Sequence, residues 1–118
     1  MPVSVLLADD SEIFRRAIRE LLEKSAEIEV VGEAVDFAQM VQMAKRLKPE
    51  VIVADLNLLE PAPPDFRSQL SIELSRLIAV SRSFDVDAKL FAASVGISVL
   101  LDKAKLSREL VPAILRTA

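Results

Sequence analysis

The chain has 118 residues and a formal net charge of −3, from 15 Lys and Arg against 18 Asp and Glu, so it has the size of one domain and is faintly acidic. It contains no His, Cys, Trp or Tyr and two Gly, where average usage of ~7% would give roughly eight. Zinc ribbons, Cys or His nucleophiles, a Ser-His-Asp triad and a disulfide framework are excluded, and a Walker-type phosphate loop fails because the two glycines are far apart. The charge balance argues against a generalised nucleic-acid or anionic-membrane surface. No apolar run approaches the ~18 residues of a membrane span, and Met1-Pro2-Val3-Ser4 does not resemble a signal peptide. These features predict a single, soluble, cytoplasmic domain over residues 1–118.

In chain order, Val3 to Ala8 is a short apolar run that stops at Asp9-Asp10, as expected of a strand buried on both faces. The period then changes. Phe14, Ala17, Ile18, Leu21 and Leu22 form a helical stripe between Ser11 and Lys24, with Asp10 or Ser11 as the N-cap. Ile28 to Ala34 returns to strand character. Asp36 and Gln39 form a capping-box pattern before Phe37, Met40, Val41, Ala44 and Leu47, and Lys48-Pro49 ends that helix. Val51-Ile52-Val53-Ala54 is the clearest buried strand and stops at Asp55. After the irregular Pro61-Ala62-Pro63-Pro64, a short helix is expected over Asp65–Ser75 with Phe66, Leu70 and Leu74 inward. Leu77 to Val80 is a fourth strand ending at Ser81. Asp85 or Asp87 caps a helix through Val95, and Val99-Leu100-Leu101 is a fifth strand closed by Asp102-Lys103. The last helix is expected from a Ser107 cap to Arg116, with Leu106 stapled onto Val111; Pro112 fits it poorly unless the helix begins a residue or two later. Five strand–helix alternations with continuously apolar strands predict an α/β fold: a doubly wound (βα)5 parallel sheet with helices on both faces.

In an open parallel sheet, ligands bind beyond the carboxyl ends of the strands. The informative residues are therefore Asp9, Asp10, Asp55, Ser81, Asp102 and Lys103. Taken singly, each has a plainer reading as a solvated loop residue, a helix cap or a turn. Together, crowded carboxylates repel unless a cation lies between them, and hard oxygen ligands suit Mg2+. A Lys and a Ser hydroxyl at the same edge complement phosphoryl oxygens.

This arrangement resembles the receiver domain of two-component response regulators. Leu6-Leu7-Ala8-Asp9-Asp10-Ser11 is similar to the family's opening acidic pair, Val51 to Leu58 to its phosphoacceptor strand, Ile78-Ala79-Val80-Ser81 to its switch strand, and Gly96 to Lys103 to its closing segment. The first half, with Val30-Val31-Gly32-Glu33-Ala34, is worded most like receivers of LuxR-type regulators. The resemblance implies the flavodoxin-like strand order 2-1-3-4-5. It also implies phosphorylation of Asp55 by a sensor histidine kinase or phosphotransfer protein. Mg2+ would be held by Asp9, Asp10, Asp55 and the carbonyl of Asn57, with Lys103 and Ser81 on the phosphoryl group. The output would be a conformational shift of the surface made by the fourth helix, fifth strand and fifth helix, read by a downstream protein or by a DNA-binding domain outside these residues. By this resemblance the domain itself touches neither nucleic acid nor membrane, is a monomer or weak dimer, and catalyses nothing beyond its own phosphorylation and dephosphorylation.

Four positions depart from the family pattern. Leu59 and Pro63 stand where Pro and Gly are usual, Arg82 stands beside the switch serine in place of a small residue, and Leu100 replaces a frequent aromatic. Proline cannot take a positive φ, so the loop after Asp55 is expected to follow another path, with its helix short or displaced. These departures motivate an alternative: a receiver-like interaction module that no longer switches by phosphate. A dehalogenase-type hydrolase is disfavoured because Asn57 occupies the place of its second Asp.

Overall fold

The computed structural model describes residues 1–63, 65–70 and 76–118. Five parallel strands, β1 (Val3–Ala8), β2 (Ile28–Ala34), β3 (Val51–Asp55), β4 (Leu77–Ser81) and β5 (Val99–Asp102), form one sheet in the order β2-β1-β3-β4-β5. The helices are α1 (Glu12–Glu23), α2 (Phe37–Leu47), α3 (Leu56–Leu59), α4 (Val86–Ser94) and α5 (Leu106–Thr117).

The inner strands β1, β3 and β4 are almost wholly apolar up to their ends because alternate side chains enter two separate cores. Val5, Leu7, Val51, Val53, Ile78 and Val80 point to one face, where Ile18 and Leu22 of α1 and Leu110 and Ile114 of α5 cover them. Leu6, Ala8, Ile52, Ala54, Leu77 and Ala79 point to the other, under α2, α3 and α4. On that second face Ala34, Ala8, Ala54 and Ala79 lie side by side across four strands. Such small side chains leave depth for Leu56, Leu59 and Phe66, all about 1% exposed, to pack in the same core.

Helix boundaries follow their caps. Ser11 Oγ accepts the Phe14 N–H at 3.2 Å, so Ser11 rather than Asp10 opens α1. Asp36 accepts from Gln39 N–H at 2.8 Å, but the Gln39 side chain returns to the N–H of Val35 rather than that of Asp36, a capping box displaced by one residue. Helix α2 stops at Lys48, whose φ of 48° is left-handed and whose N–H reaches the Ala44 carbonyl. Asp85, not Asp87, caps α4.

Two expectations need correction. Of the helix anticipated over Asp65–Ser75, the described residues form a 3-10 turn, Phe66–Gln69, and a four-residue helix, α3, lies earlier, directly after Asp55. Phe66 and Leu70 do face the core; residues 71–75, including Leu74, lie outside the described residues. Pro61 and Pro63 follow α3 and keep the chain from continuing as a regular helix. The second correction concerns the last helix. Asp102 accepts the Ala104 N–H at 2.9 Å and starts a 3-10 turn over Lys103–Lys105, so α5 begins at Leu106 without a side-chain cap and Ser107 is inside it. Leu106 is then a core residue, not a staple. Pro112 sits within α5, on its exposed side together with Arg108, so the carbonyl it leaves without a donor lies at the solvent face.

Candidate functional site

Register places the carboxyl ends of β1, β3, β4 and β5 in one row, and the chemistry-bearing residues are the first ones past the apolar runs. Asp9 and Asp55 are 2% and 4% exposed, and Asp10 is exposed. Oxygens from these three carboxylates lie within 4.8 Å of one another. Asp9 Oδ1 accepts the Ser11 N–H at 2.9 Å, and Asp55 Oδ1 accepts the Asn57 N–H at 3.2 Å, so one oxygen of each buried carboxylate is fixed by the turn that follows it. The other oxygen of each faces Lys103, whose Nζ donates to Asp9 Oδ2 at 2.9 Å and to Asp55 Oδ2 at 3.4 Å. Lys103 comes from the turn after β5, and its side chain is 8% exposed.

Burial pushes the Asp55 carboxyl above its ordinary value. The nearby Asp9 charge acts in the same direction, while the Asn57 N–H and the Lys103 ammonium oppose it. An acidic pair with one ammonium between its members is a site with negative charge in excess. It fits a hard divalent cation, because three carboxylates offer oxygen donors and the exposed Asp10 leaves a side open to water.

Ser81 is 5% exposed and lies one residue beyond the β4 position that pairs with Asp55. Its hydroxyl donates to the Ser83 carbonyl at 2.8 Å, which ties it to the loop between β4 and α4. Asn57, Glu60, Ser81, Ser83 and Asp85 line an open cleft of about 500 Å³ beside the acidic cluster. The adjacent Arg82 is exposed and does not line this cleft. Leu100 is half-buried against the core.

Six of the seven residues singled out from the sequence thus meet at one edge: Asp9, Asp10, Asp55 and Lys103 in one cluster, Asn57 and Ser81 at its side. Asp102 is the exception among the strand-end residues: its carboxylate caps the 3-10 turn that follows β5. Three neighbours were not foreseen. Arg15 donates through Nη1 to the Asp9 carbonyl at 2.6 Å and through Nε to Glu33 at 3.1 Å, and Arg19 donates to the other Glu33 oxygen at 2.6 Å. Phe14 lies with its ring centroid 3.8 Å from Lys103 Nζ. In the sequence Phe14 is only one member of a helical stripe, and Arg15 only a charge beside it.

The sequence model of the response regulator receiver domain matches residues 5–115. Curated relatives include two proteins named protein-glutamate methylesterase/protein-glutamine glutaminase. The one from Methanococcoides burtonii is 46% identical over 56 residues, 48% of this chain and 16% of the relative. The one from Alkalilimnicola ehrlichii is 47% identical over 60 residues, 51% of this chain and 15% of the relative. The chain thus spans about a sixth of the length of these relatives. Among solved structures, the signal receiver domain of NarL from Mycobacterium tuberculosis superposes with a TM-score of 0.83 at 27% identity, covering 98% of this chain and 94% of that one. A LuxR-family regulator from Aurantimonas gives 0.83 at 26% identity, covering 98% and 84%. The receiver domain of CheB from Thermotoga maritima gives 0.81 at 21% identity, covering 99% and 96%, a likeness of fold alone.

Proposed function

Since the chain belongs to the response regulator receiver family and is a phosphoacceptor domain of two-component signalling, we propose that Asp55 is the acceptor and that Asp9, Asp10, Lys103 and Ser81 serve it. The observation that carries this reading is the Lys103 ammonium, 2.9 Å from Asp9 and 3.4 Å from Asp55, in a buried cluster with net negative charge. An Asp55 oxygen attacks the phosphorus of a phosphohistidine on a sensor kinase or phosphotransfer protein. The O–P bond forms as the N–P bond breaks, and the electron pair stays on the imidazole nitrogen. Little covalent work falls to the acceptor, so positioning and charge neutralisation carry the catalysis.

Asp9, Asp10 and Asp55, with the Asn57 carbonyl, are the residues that would hold Mg2+. When bound, Mg2+ would neutralise charge on the phosphoryl oxygens. Lys103 follows the new negative charge from the Asp55 carboxylate to a phosphoryl oxygen. Ser81 gives up the Ser83 carbonyl to donate to another, which releases the loop leading into α4 and shifts the surface of α4, β5 and α5. Ester hydrolysis, named for the curated relatives, is not assigned to these residues, which lack the His of a Ser-His-Asp set. Kinase and downstream target both act from outside these residues, in the cytoplasm.

Acetyl phosphate with Mg2+ is expected to give a phosphoryl adduct of the intact chain, detected by mass, that is absent in Asp55→Asn. A wild type that gives no adduct, and no spectral response to beryllofluoride, overturns the proposal.

A further inference from the structure

We infer that Phe14 is a positioning residue for phosphoryl transfer, seating the Lys103 ammonium on its ring face; the inference rests on the role of Lys103 proposed above. Four contacts close a circuit. Asp9 Oδ1 accepts the Ser11 N–H at 2.9 Å, Ser11 Oγ accepts the Phe14 N–H at 3.2 Å, the Phe14 ring centroid is 3.8 Å from Lys103 Nζ, and Lys103 returns to Asp9 Oδ2 at 2.9 Å. The turn that orients the metal-ligand candidate Asp9 therefore also sets the ring against the cation.

The chemistry of the ammonium gives the ring its purpose. Lys103 has three N–H donors, and its two carboxylate partners leave one side of the nitrogen to be satisfied. A water there would compete for the charge; an aromatic face attracts the cation through its quadrupole and excludes water. Phe14 belongs to a mainly apolar groove between α1 and α5, lined also by Ile18, Leu21 and Leu106, so the lysine stem is held in an apolar wall with only its head in the site. Ring attraction lacks the sharp directionality of a hydrogen bond. The nitrogen can swing from Asp9 towards a phosphoryl oxygen on Asp55 while keeping that third partner. A ring at this position thus removes rotamer freedom from a long side chain without locking it onto either carboxylate.

The test uses the full chain with Phe14 replaced by Leu, by Tyr, and by mono-, di- and trifluorophenylalanine, which keep the shape while draining the ring quadrupole. In the metal-free protein, NMR is expected to show the Lys103 ε-methylene protons shifted upfield by the ring, and the shift lost in Phe14→Leu. The rate of adduct formation from acetyl phosphate at saturating Mg2+ is expected to fall roughly three- to tenfold in Phe14→Leu, to fall stepwise with each fluorine, and to stay near wild type in Phe14→Tyr. A purely structural Phe14 would leave the rate indifferent to fluorination, and that result, or unshifted Lys103 protons in the wild type, overturns the inference. A wild type that forms no adduct overturns the phosphoacceptor reading instead, and the NMR arm still decides whether the ring seats the lysine.

Discussion

Asp55 is buried beside a second carboxylate, and both facts raise the free energy of its charged form. Its carboxyl holds a proton more tightly in the folded chain than in the unfolded one, so the linkage has the reverse of the usual sign for an Asp. Folding gains from protonated Asp55 below its ordinary value of 3.8, and that contribution is lost as pH rises through the elevated folded value. In metal-free buffer, Asp55→Asn is therefore expected to be more stable than wild type at pH 7.5, with the advantage shrinking as pH falls towards 4. Urea midpoints at pH 7.5, 6 and 5 measure this, and a less stable Asn variant at pH 7.5 would contradict it. Lys103 keeps its shorter bond to Asp9 in that variant, so no buried ammonium is stranded. The same ammonium is a positive charge at the cluster that would hold Mg2+. Lys103→Met is expected to bind Mg2+ more tightly than wild type while accepting phosphate more slowly, since it removes a like charge from the metal and a partner from the phosphoryl group. Equal or weaker Mg2+ binding, by calorimetry, would sink that assignment.

At the scale of elements, what could be read from the sequence depended on whether burial leaves a periodic trace. The strands β1 and β3 fall where the apolar runs put them, because a strand covered on both faces is apolar at nearly every position and its end is where charge begins. Asp9, Asp10, Asp55, Ser81 and Lys103 are legible for the same reason, as the first residues past those ends. Helix α3 is not, because the four residues Leu56 to Leu59 are too few to show a helical period. Phe14 and Arg15 were missed as site residues for another reason: a helical stripe tells which side faces inward, not which part of the interior it meets. The two glycines separate by cause. A Cβ on Gly32 would meet Met43 Cε at 2.7 Å and Leu47 Cδ1 at 2.9 Å, both tips of flexible side chains, whereas Gly96 has φ of 80°. Gly96 follows α4, with its N–H on the Ala93 carbonyl and that of Ile97 on Ala92, the two bonds of a Schellman stop. Gly96→Ala is expected to cost about 1 kcal/mol, measured by denaturant unfolding. An unchanged midpoint would mean that the stop does not need the left-handed residue.

Over the whole molecule, the site sits where the two apolar cores share a boundary. Asp9 follows β1 and Asp55 ends the adjacent β3, strands whose alternate residues feed both cores, and Lys103 follows the edge strand β5. A ligand held by these residues spans the sheet from centre to edge. Val86 and Leu90 of α4, whose first turn borders the cleft beside the site, are 67% and 63% exposed, so the surface proposed for output already carries apolar side chains. Because the strands unfold together with the cores they carry, Mg2+ binding at the edge is expected to stabilise the entire domain and not the loops alone. At a concentration ten times its dissociation constant, Mg2+ should add about 1.4 kcal/mol by mass action and raise the melting midpoint by roughly 4–6 °C. Sodium at matched ionic strength should not reproduce the shift, since general screening acts on exposed charges and leaves buried pairs largely untouched. Asp55→Asn should abolish most of it, and Lys103→Met should reach it at lower Mg2+. A wild-type midpoint that does not respond to Mg2+ beyond the sodium control would show that Asp9, Asp10 and Asp55 do not hold the ion, and the charge neutralisation proposed for phosphoryl transfer would then fall to Lys103 alone.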